Sequence, residues 1–322
     1  MRIRPLSQSL AATVLAIGLS FAASAAESAG TATEPPVQPD ASASAPVPLL
    51  WQVSDDDNTV YLLGAFHLLK AADYPLSADV DAAFEDAERL VFEVSPEQID
   101  DPSNTAKFLQ AAGYADGGKL SDVLPSPTYD RLATVMGGAG LPMAAFDRFE
   151  PWFVSLSLLM GMAQPLGFSG EQGLDRHLMV RAREAGKPAS GLETLEHQLG
   201  VLDGAPMDEQ VIGLTELVEA PEEAARKLDE LHAAWRGGDI EALERLAIDE
   251  MKEKTPETYR TVNVERNQAW LPQLRGMLDE AGEDDVMVVV GAMHLAGDDG
   301  LIEGLREAGY RVERICSACA AD

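Results

Sequence analysis

Two segments of this chain share the pattern Gly-Ala-x-His-Leu: Gly64-Ala65-Phe66-His67-Leu68 and Gly291-Ala292-Met293-His294-Leu295. Each closes a strongly apolar run, and with five histidines in the whole chain, two of the five stand in one repeated context. A strand that stops at glycine and presents a histidine just past its carboxyl end is a usual way for an α/β fold to place a reactive side chain over its sheet. Glu93, in Val91-Phe92-Glu93-Val94, interrupts a third apolar run, where a carboxylate without a partner would be costly. Two neutral imidazoles and one carboxylate converging from separate strands make a ligand set that leaves positions open on a divalent ion, and such an ion activates water toward an amide or ester carbonyl. The same residues also allow a metal-free route, with His67 or His294 as general base on water and Glu93 orienting it or tuning its pKa. Arg266 is the expected oxyanion or substrate-carboxylate clamp, with Asn267 adding a hydrogen bond. The structural alternative for Glu93 is a salt bridge to Arg266. Asp175, just after Gly173, and Glu193, following Gly191, are expected either as helix caps or first-turn charges, or as supports of the site from behind.

The elements must carry these groups together from distant parts of the chain. Leu50-Trp51-Gln52-Val53 and Thr59-Val60-Tyr61-Leu62-Leu63 flank Ser54-Asp55-Asp56-Asp57-Asn58, a turn-favouring set, and read as a hairpin leading to His67. Ser77 caps a helix whose apolar positions Val80, Ala83, Phe84 and Ala87 share a face, and Arg89 to Val94 follow as a strand. A strand, helix and strand in this order normally make two parallel, right-handed neighbours, which puts His67 and Glu93 near carboxyl ends of strands. The C-terminal part repeats the grammar: a buried strand from Val286 to Val290 leading to His294, a helix from Leu301 to Ala308 closed by Gly309, and a last strand from Tyr310 to Ile315. Between them the periodicity predicts helices over about 152–162, 172–185, 207–219, 221–236, 239–250 and 256–280, with a short strand from Ala189 to Leu192. The expected fold class is α/β of mixed α+β type, with a central mixed sheet built from N- and C-terminal strand-helix-strand units and a large helical insertion. His177, His197 and His232 lie in helical stretches without an evident partner and are expected as surface or core residues.

Composition bounds the class of function. Met1-Arg2-Ile3-Arg4, an apolar stretch from Leu10 to Ala22 and Ala23-Ser24-Ala25 have the three parts of a secretory signal peptide, expected over residues 1–25. Residues 26–47, rich in Ala, Ser, Thr and Pro, read as a disordered linker, leaving 48–322 as one domain. An exported location, periplasmic or secreted, follows as an expectation, with no stable membrane anchor once the leader is removed. The formal charge is −30, and it is spread along the chain as a solubilising surface. Such a surface opposes nucleic acid and anionic membranes, because binding either depends on basic side chains. Cys316 and Cys319 near the C-terminus are expected to pair as a small disulfide in an oxidising compartment.

At this point the chain resembles the TraB/PrgY/GumN family, to which the animal Tiki proteins belong. The resemblance runs from the entry strand Leu50 to Val53 to near the last strand. It rests on the paired Gly-x-x-His motifs, Gly64 to His67 and Gly291 to His294, and on Glu93 ending the next strand. Gly173-Leu174-Asp175, Gly191-Leu192-Glu193-Thr194 and Glu265-Arg266-Asn267 are also similar to family signatures. The resemblance implies a mixed α/β core with a helical insertion and, for Tiki-like members, a metal-dependent protease using manganese or cobalt. The wider superfamily includes erythromycin-esterase-like enzymes that work through a histidine base without metal. The leading expectation is therefore an exported, metal-dependent hydrolase of peptide bonds, with manganese, cobalt or zinc held by His67, Glu93 and His294. A metal-free esterase and a non-catalytic binder of peptides or small ligands are the alternatives.

Overall fold

The structure is a computed structural model that describes residues 44–55, 58–279 and 284–319. The expected leader and most of the expected linker lie outside the described residues. Six strands form one sheet: β1 (Leu50–Ser54), β2 (Thr59–Ala65), β3 (Arg89–Val94), β4 (Ala189–Glu193), β5 (Val286–Gly291) and β6 (Arg311–Arg314), in the spatial order β4-β3-β5-β2-β1-β6. The four from β4 to β2 are parallel, and β1 joins β2 and β6 antiparallel, so the sheet is mixed as expected. β5 is buried along its whole length, and β2 is buried after its first residue. That is why both read as unbroken apolar runs rather than alternating ones.

The expected adjacency of β2 and β3 is corrected by this order. The helix between them (α1, Ala78–Asp86), capped by Ser77 at Val80 N, does make a parallel crossover, but β5 arrives from the far end of the chain and pairs with both flanking strands. A strand of valines and methionine with no polar face needs a neighbour on each edge. Insertion at the centre satisfies it, and it also sets the strand that leads to His294 between the strand that leads to His67 and the strand that carries Glu93.

The insertion is helical on both sides of β4. Pro151–Ala163 (α2), Leu174–Ala185 (α3), Met207–Glu219 (α5) and Pro221–Arg236 (α6) match expected helices closely. Helix α3 ends at Gly186 in the left-handed conformation, φ 69°, a position glycine fills without steric cost. Leu195–Asp203 (α4) and the helices Asn104–Ala111 and Ser126–Gly138 were not among the expected elements. The two predicted long helices near 239–250 and 256–280 contain π-helical turns at Glu244–Ile248 and Arg260–Val264. The second turn leads straight into α7 (Glu265–Asp279). Leu301–Glu307 (α8) and β6 close the chain, followed by the disulfide Cys316–Cys319. Among the described residues no helix is long and apolar enough to cross a membrane.

Candidate active site

Register explains why the chosen residues meet. Ala65 of β2 pairs with Gly291 of β5, Phe92 of β3 with Val289 of β5, and Val94 of β3 with Glu193 of β4. Four parallel strands therefore end on one line, and they deliver His67, His294, Glu93 and Glu193 side by side. The carboxyl edge of a parallel sheet is where such folds place ligands.

Each imidazole is oriented by its Nδ1 atom. His67 Nδ1 lies 3.3 Å from Asp175 Oδ1, and Asp175 reaches it from the first turn of α3. His294 Nδ1 lies 2.7 Å from Asn267 Oδ1, while Asn267 Nδ2 donates to the carbonyls of His294 and Asp299 at 3.3 and 2.8 Å. That network assigns the Asn267 amide and puts the proton of His294 on Nδ1. The two Nε2 atoms are left facing one oxygen: Glu93 Oε1 is 3.8 Å from His67 Nε2 and 3.9 Å from His294 Nε2. Gly291 sits under this point. Its N–H donates to Glu93 Oε1 at 2.7 Å, and a Cβ there would come within 2.9 Å of His67 Nε2.

Arg266 is the charge at the centre, 1 % exposed. The π-helical turn before α7 and the spacing of Arg266, Trp270, Leu274 and Leu278 turn it onto the buried face. Nη2 donates to Glu93 Oε2 at 2.6 Å and to Glu193 Oε1 at 2.8 Å, and Nε donates to Glu193 Oε2 at 3.2 Å. Nη1 donates to the Val262 carbonyl at 3.2 Å and faces His294 Nε2 at 3.1 Å. The indole of Trp270 packs on both, with its ring 4.6 Å from the His294 ring and 4.6 Å from the guanidinium. The geometry thus corrects the expected role of Arg266: its N–H groups are turned to protein acceptors, and it holds the carboxylates and His294 in place rather than clamping a substrate. Glu93 makes the salt bridge to Arg266 that the structural alternative expected.

Burial and charge set the titration. Burial alone would raise the Glu93 carboxyl, yet Arg266 foremost, then the two imidazoles and the Gly291 N–H, hold it down to about 2. Burial pushes Glu193 up against the pull of Arg266. For His67 burial lowers the value, but Asp175 and then Glu93 outweigh burial, and the net direction is upward. Glu93 and Glu193 share the Arg266 guanidinium while Asp175 faces His67, so the cluster carries a formal excess of negative charge unless protons or a cation offset it.

The donor types, two imidazoles and a carboxylate, are ones a divalent ion takes, with Asn267 bound at His294 Nδ1 and Asp175 standing beside His67 Nδ1. Spacings of 3.8 and 3.9 Å lie within reach of one ion, since two bonds of about 2.1 Å span roughly that distance. Among the described residues no group of three or more His, Cys, Asp or Glu side chains is arranged to hold a metal ion. Arg266 Nη1, against His294 Nε2, is the contact an ion would have to displace.

A cavity of about 10 Å³, the room of one water, adjoins the site beside His67, Glu93, Asp175, Phe92, Ile99 and Met179. It admits water and no substrate, so turnover would require this apolar wall to move.

All of the chosen residues, His67, Glu93, Asp175, Glu193, Arg266, Asn267 and His294, come together. Gln198, one turn into α4, was missed; it donates to both Glu93 Oε2 and Glu193 Oε1. Reading Glu193 as a strand end and Thr194 as the cap of α4 would have turned this residue toward the carboxylates. The other three histidines are all partnered, which corrects the expectation that they have none: His197 Nε2 lies 3.9 Å from Glu193 Oε2, at the exposed rim of the cluster, and the other two stand apart from it. His232 Nε2 pairs with Asp73 at 2.8 Å, and His177 packs on Tyr74 with ring centroids 4.4 Å apart.

The TraB/PrgY/gumN family model matches residues 49–314. The chain is 24 % identical over 246 residues to the uncharacterized protein YbaP of Escherichia coli (strain K12), covering 76 % of this chain and 87 % of that one. It is 21 % identical over 204 residues to an uncharacterized protein of Treponema pallidum (strain Nichols), covering 62 % of this chain and 61 % of that one. No solved structure matches the chain significantly.

Proposed function

The chain belongs to the TraB/PrgY/gumN family, and from that premise we propose that it is an exported hydrolase of peptide bonds working with manganese, cobalt or zinc held by His67, Glu93 and His294. The observation that carries this reading is the shared aim of the two imidazoles: Asn267 ties back His294 Nδ1, Asp175 Oδ1 stands 3.3 Å from His67 Nδ1, and both Nε2 atoms face Glu93 Oε1. The buried excess of carboxylates adds to it, because a divalent cation would offset that charge. When bound, such an ion supplies Lewis acidity that makes water a nucleophile near neutral pH and polarises a carbonyl. The chain's own groups do the rest. Asp175 and Asn267 fix ring orientation, Arg266 keeps Glu93 ionised, and the apolar wall of Phe92, Ile99 and Met179 excludes bulk water.

A second reading is favoured by one contact. With Arg266 Nη1 on His294 Nε2 and both Glu93 oxygens hydrogen-bonded, His67 is the imidazole whose ring nitrogens have no aligned hydrogen-bond partner. In that case His67 Nε2 takes the proton from water as general base, Asp175 stabilises the imidazolium, and an ester is the simpler substrate. Metal analysis of the purified protein, with peptide and ester hydrolysis followed before and after chelation, separates the two. Activity lost in chelator and restored by manganese, cobalt or zinc supports the metal route. Full activity in chelator selects the histidine base, and inactivity on every peptide and ester tested, with or without added ions, removes both.

A further inference from the structure

Gln198 is 1 % exposed, in the first turn of α4. The start of that helix is fixed twice over: Thr194 caps it at His197 N, 3.1 Å, and Leu195 N donates to Gln98 Oε1 at 2.8 Å. From there the Gln198 amide nitrogen reaches Glu93 Oε2 at 3.2 Å and Glu193 Oε1 at 3.3 Å. Only a nitrogen with two hydrogens can serve two carboxylates at once, so these contacts assign the amide's orientation and leave Oε1 as a buried acceptor without a hydrogen-bond partner. An orphaned carbonyl is a cost that a leucine at this position would avoid while filling similar space. Packing therefore does not account for the amide, whereas the two carboxylates do. Glu93 and Glu193 share Nη2 of a single arginine, and like charges so placed repel unless another donor holds each in its rotamer.

We propose that Gln198 is a positioning residue of the site: it holds Glu93 and Glu193 apart around Arg266 and so keeps Glu93 Oε1 under the two imidazoles. Its kinetic consequence rests on the hydrolase reading, but its geometric consequence does not. The test compares crystal structures of the full chain, Co²⁺ titration by calorimetry, and hydrolysis by wild type, Gln198→Leu and Gln198→Glu. The second variant keeps the shape and exchanges the donor for an acceptor, so it separates hydrogen bonding from packing if the leucine variant folds poorly. In either folded variant the Glu93 carboxylate is expected to move by about 1 Å from the Gly291 N–H, enough to misplace a ligand or nucleophile. Co²⁺ affinity and kcat are then expected to fall about tenfold or more while KM stays near the wild-type value. Carboxylates that superpose on those of the wild type, or kcat and affinity that are unchanged, overturn the proposal. If the wild type neither hydrolyses nor binds an ion, the hydrolase reading falls, and the comparison of carboxylate positions still decides the role of Gln198.

Discussion

His67 Nδ1 stands 3.3 Å from Asp175 Oδ1, whereas its counterpart His294 is bound at Nδ1 by the neutral amide of Asn267 at 2.7 Å. Two histidines from one repeated sequence pattern thus have unequal backing. A carboxylate favours the protonated or ion-bound ring and an amide favours the neutral one. Asp175→Asn is expected to keep the fold and lower hydrolysis or ion affinity about 10- to 100-fold. Unchanged kinetics in the folded variant would detach Asp175 from the site.

Alanine at the two histidines should abolish turnover alike but affect stability differently. His67 is buried and faces Asp175 without an aligned hydrogen bond, so His67→Ala is expected to cost stability through a cavity, but less than the loss of His294. His294 is fully buried, bound to Asn267 and packed on Trp270. Losing it should cost about 2 kcal/mol or more through a cavity and an unpaired amide. Urea unfolding of both variants measures the contrast, and equal losses would count against it.

Gly291→Ala isolates the site from the fold. The backbone there, φ −52°, ψ 135°, suits alanine, yet the added methyl would lie 2.9 Å from His67 Nε2 and 3.2 Å from Glu93 Oε1. Both atoms are ends of side chains that can swing aside. The expected outcome is a folded protein with its site displaced by about 1 Å and activity down about 100-fold. Wild-type activity in this variant would mean that the ground between the imidazoles is not where chemistry happens.

What could be read from the sequence follows from how local each signal is. The strand ends before His67 and His294, and the carboxylate inside the β3 run, are legible because apolar runs, glycine stops and misplaced charges are short-range patterns. Strand order is not local. That β5 lies between β2 and β3 depends on which edges burial must cover, and no residue of β2 or β3 announces it. The same holds for the π-helical turn before Arg266: one extra residue inside a helical pattern leaves the surrounding periodicity intact, yet it decides which face the guanidinium takes. Gln198 escaped notice because a glutamine in a helix is ordinarily a solvated residue, and only the fold reveals two carboxylates within its reach.

Behind the loop that carries His67, Asp73 accepts from Arg236 Nη1 at 2.5 Å and from Lys70 N at 2.8 Å, and pairs with His232 at 2.8 Å. Burial would raise its carboxyl, but His232 first, then Lys70 N–H and Arg236, bring it below its ordinary 3.8. A folded-state value below the unfolded one means that the stabilisation is fully present above that ordinary value and is lost as pH falls through the folded value. Asp73→Asn is therefore expected to reduce stability at neutral pH and to flatten the fall in stability below about pH 4. Denaturant unfolding across acid pH reads this directly. An unchanged acid limb would show that Asp73 is not the group responsible.

Loss of Arg266 should damage both fold and site. Its guanidinium faces Glu93 and Glu193 in a buried setting, so Arg266→Leu would leave two carboxylates without their cation. Removing one partner of a buried ion pair costs about 3–5 kcal/mol, and here two anions lose the same partner. Freed of Arg266, which is the foremost cause holding Glu93 down to about 2, that carboxyl should rise toward and beyond its ordinary 4.5. Lowering the pH then protonates what the arginine no longer neutralises, so the variant should lose less stability on acidification than the wild type and the gap between them should narrow. Arg266→Lys keeps a charge but not the fork that serves both carboxylates, and is expected to recover part of the stability and little of the activity. Unfolding curves of the three proteins between mildly acidic and neutral pH decide the matter: a constant gap would show that the carboxylates are already neutral, and that Arg266 stabilises the fold by packing on Trp270 instead.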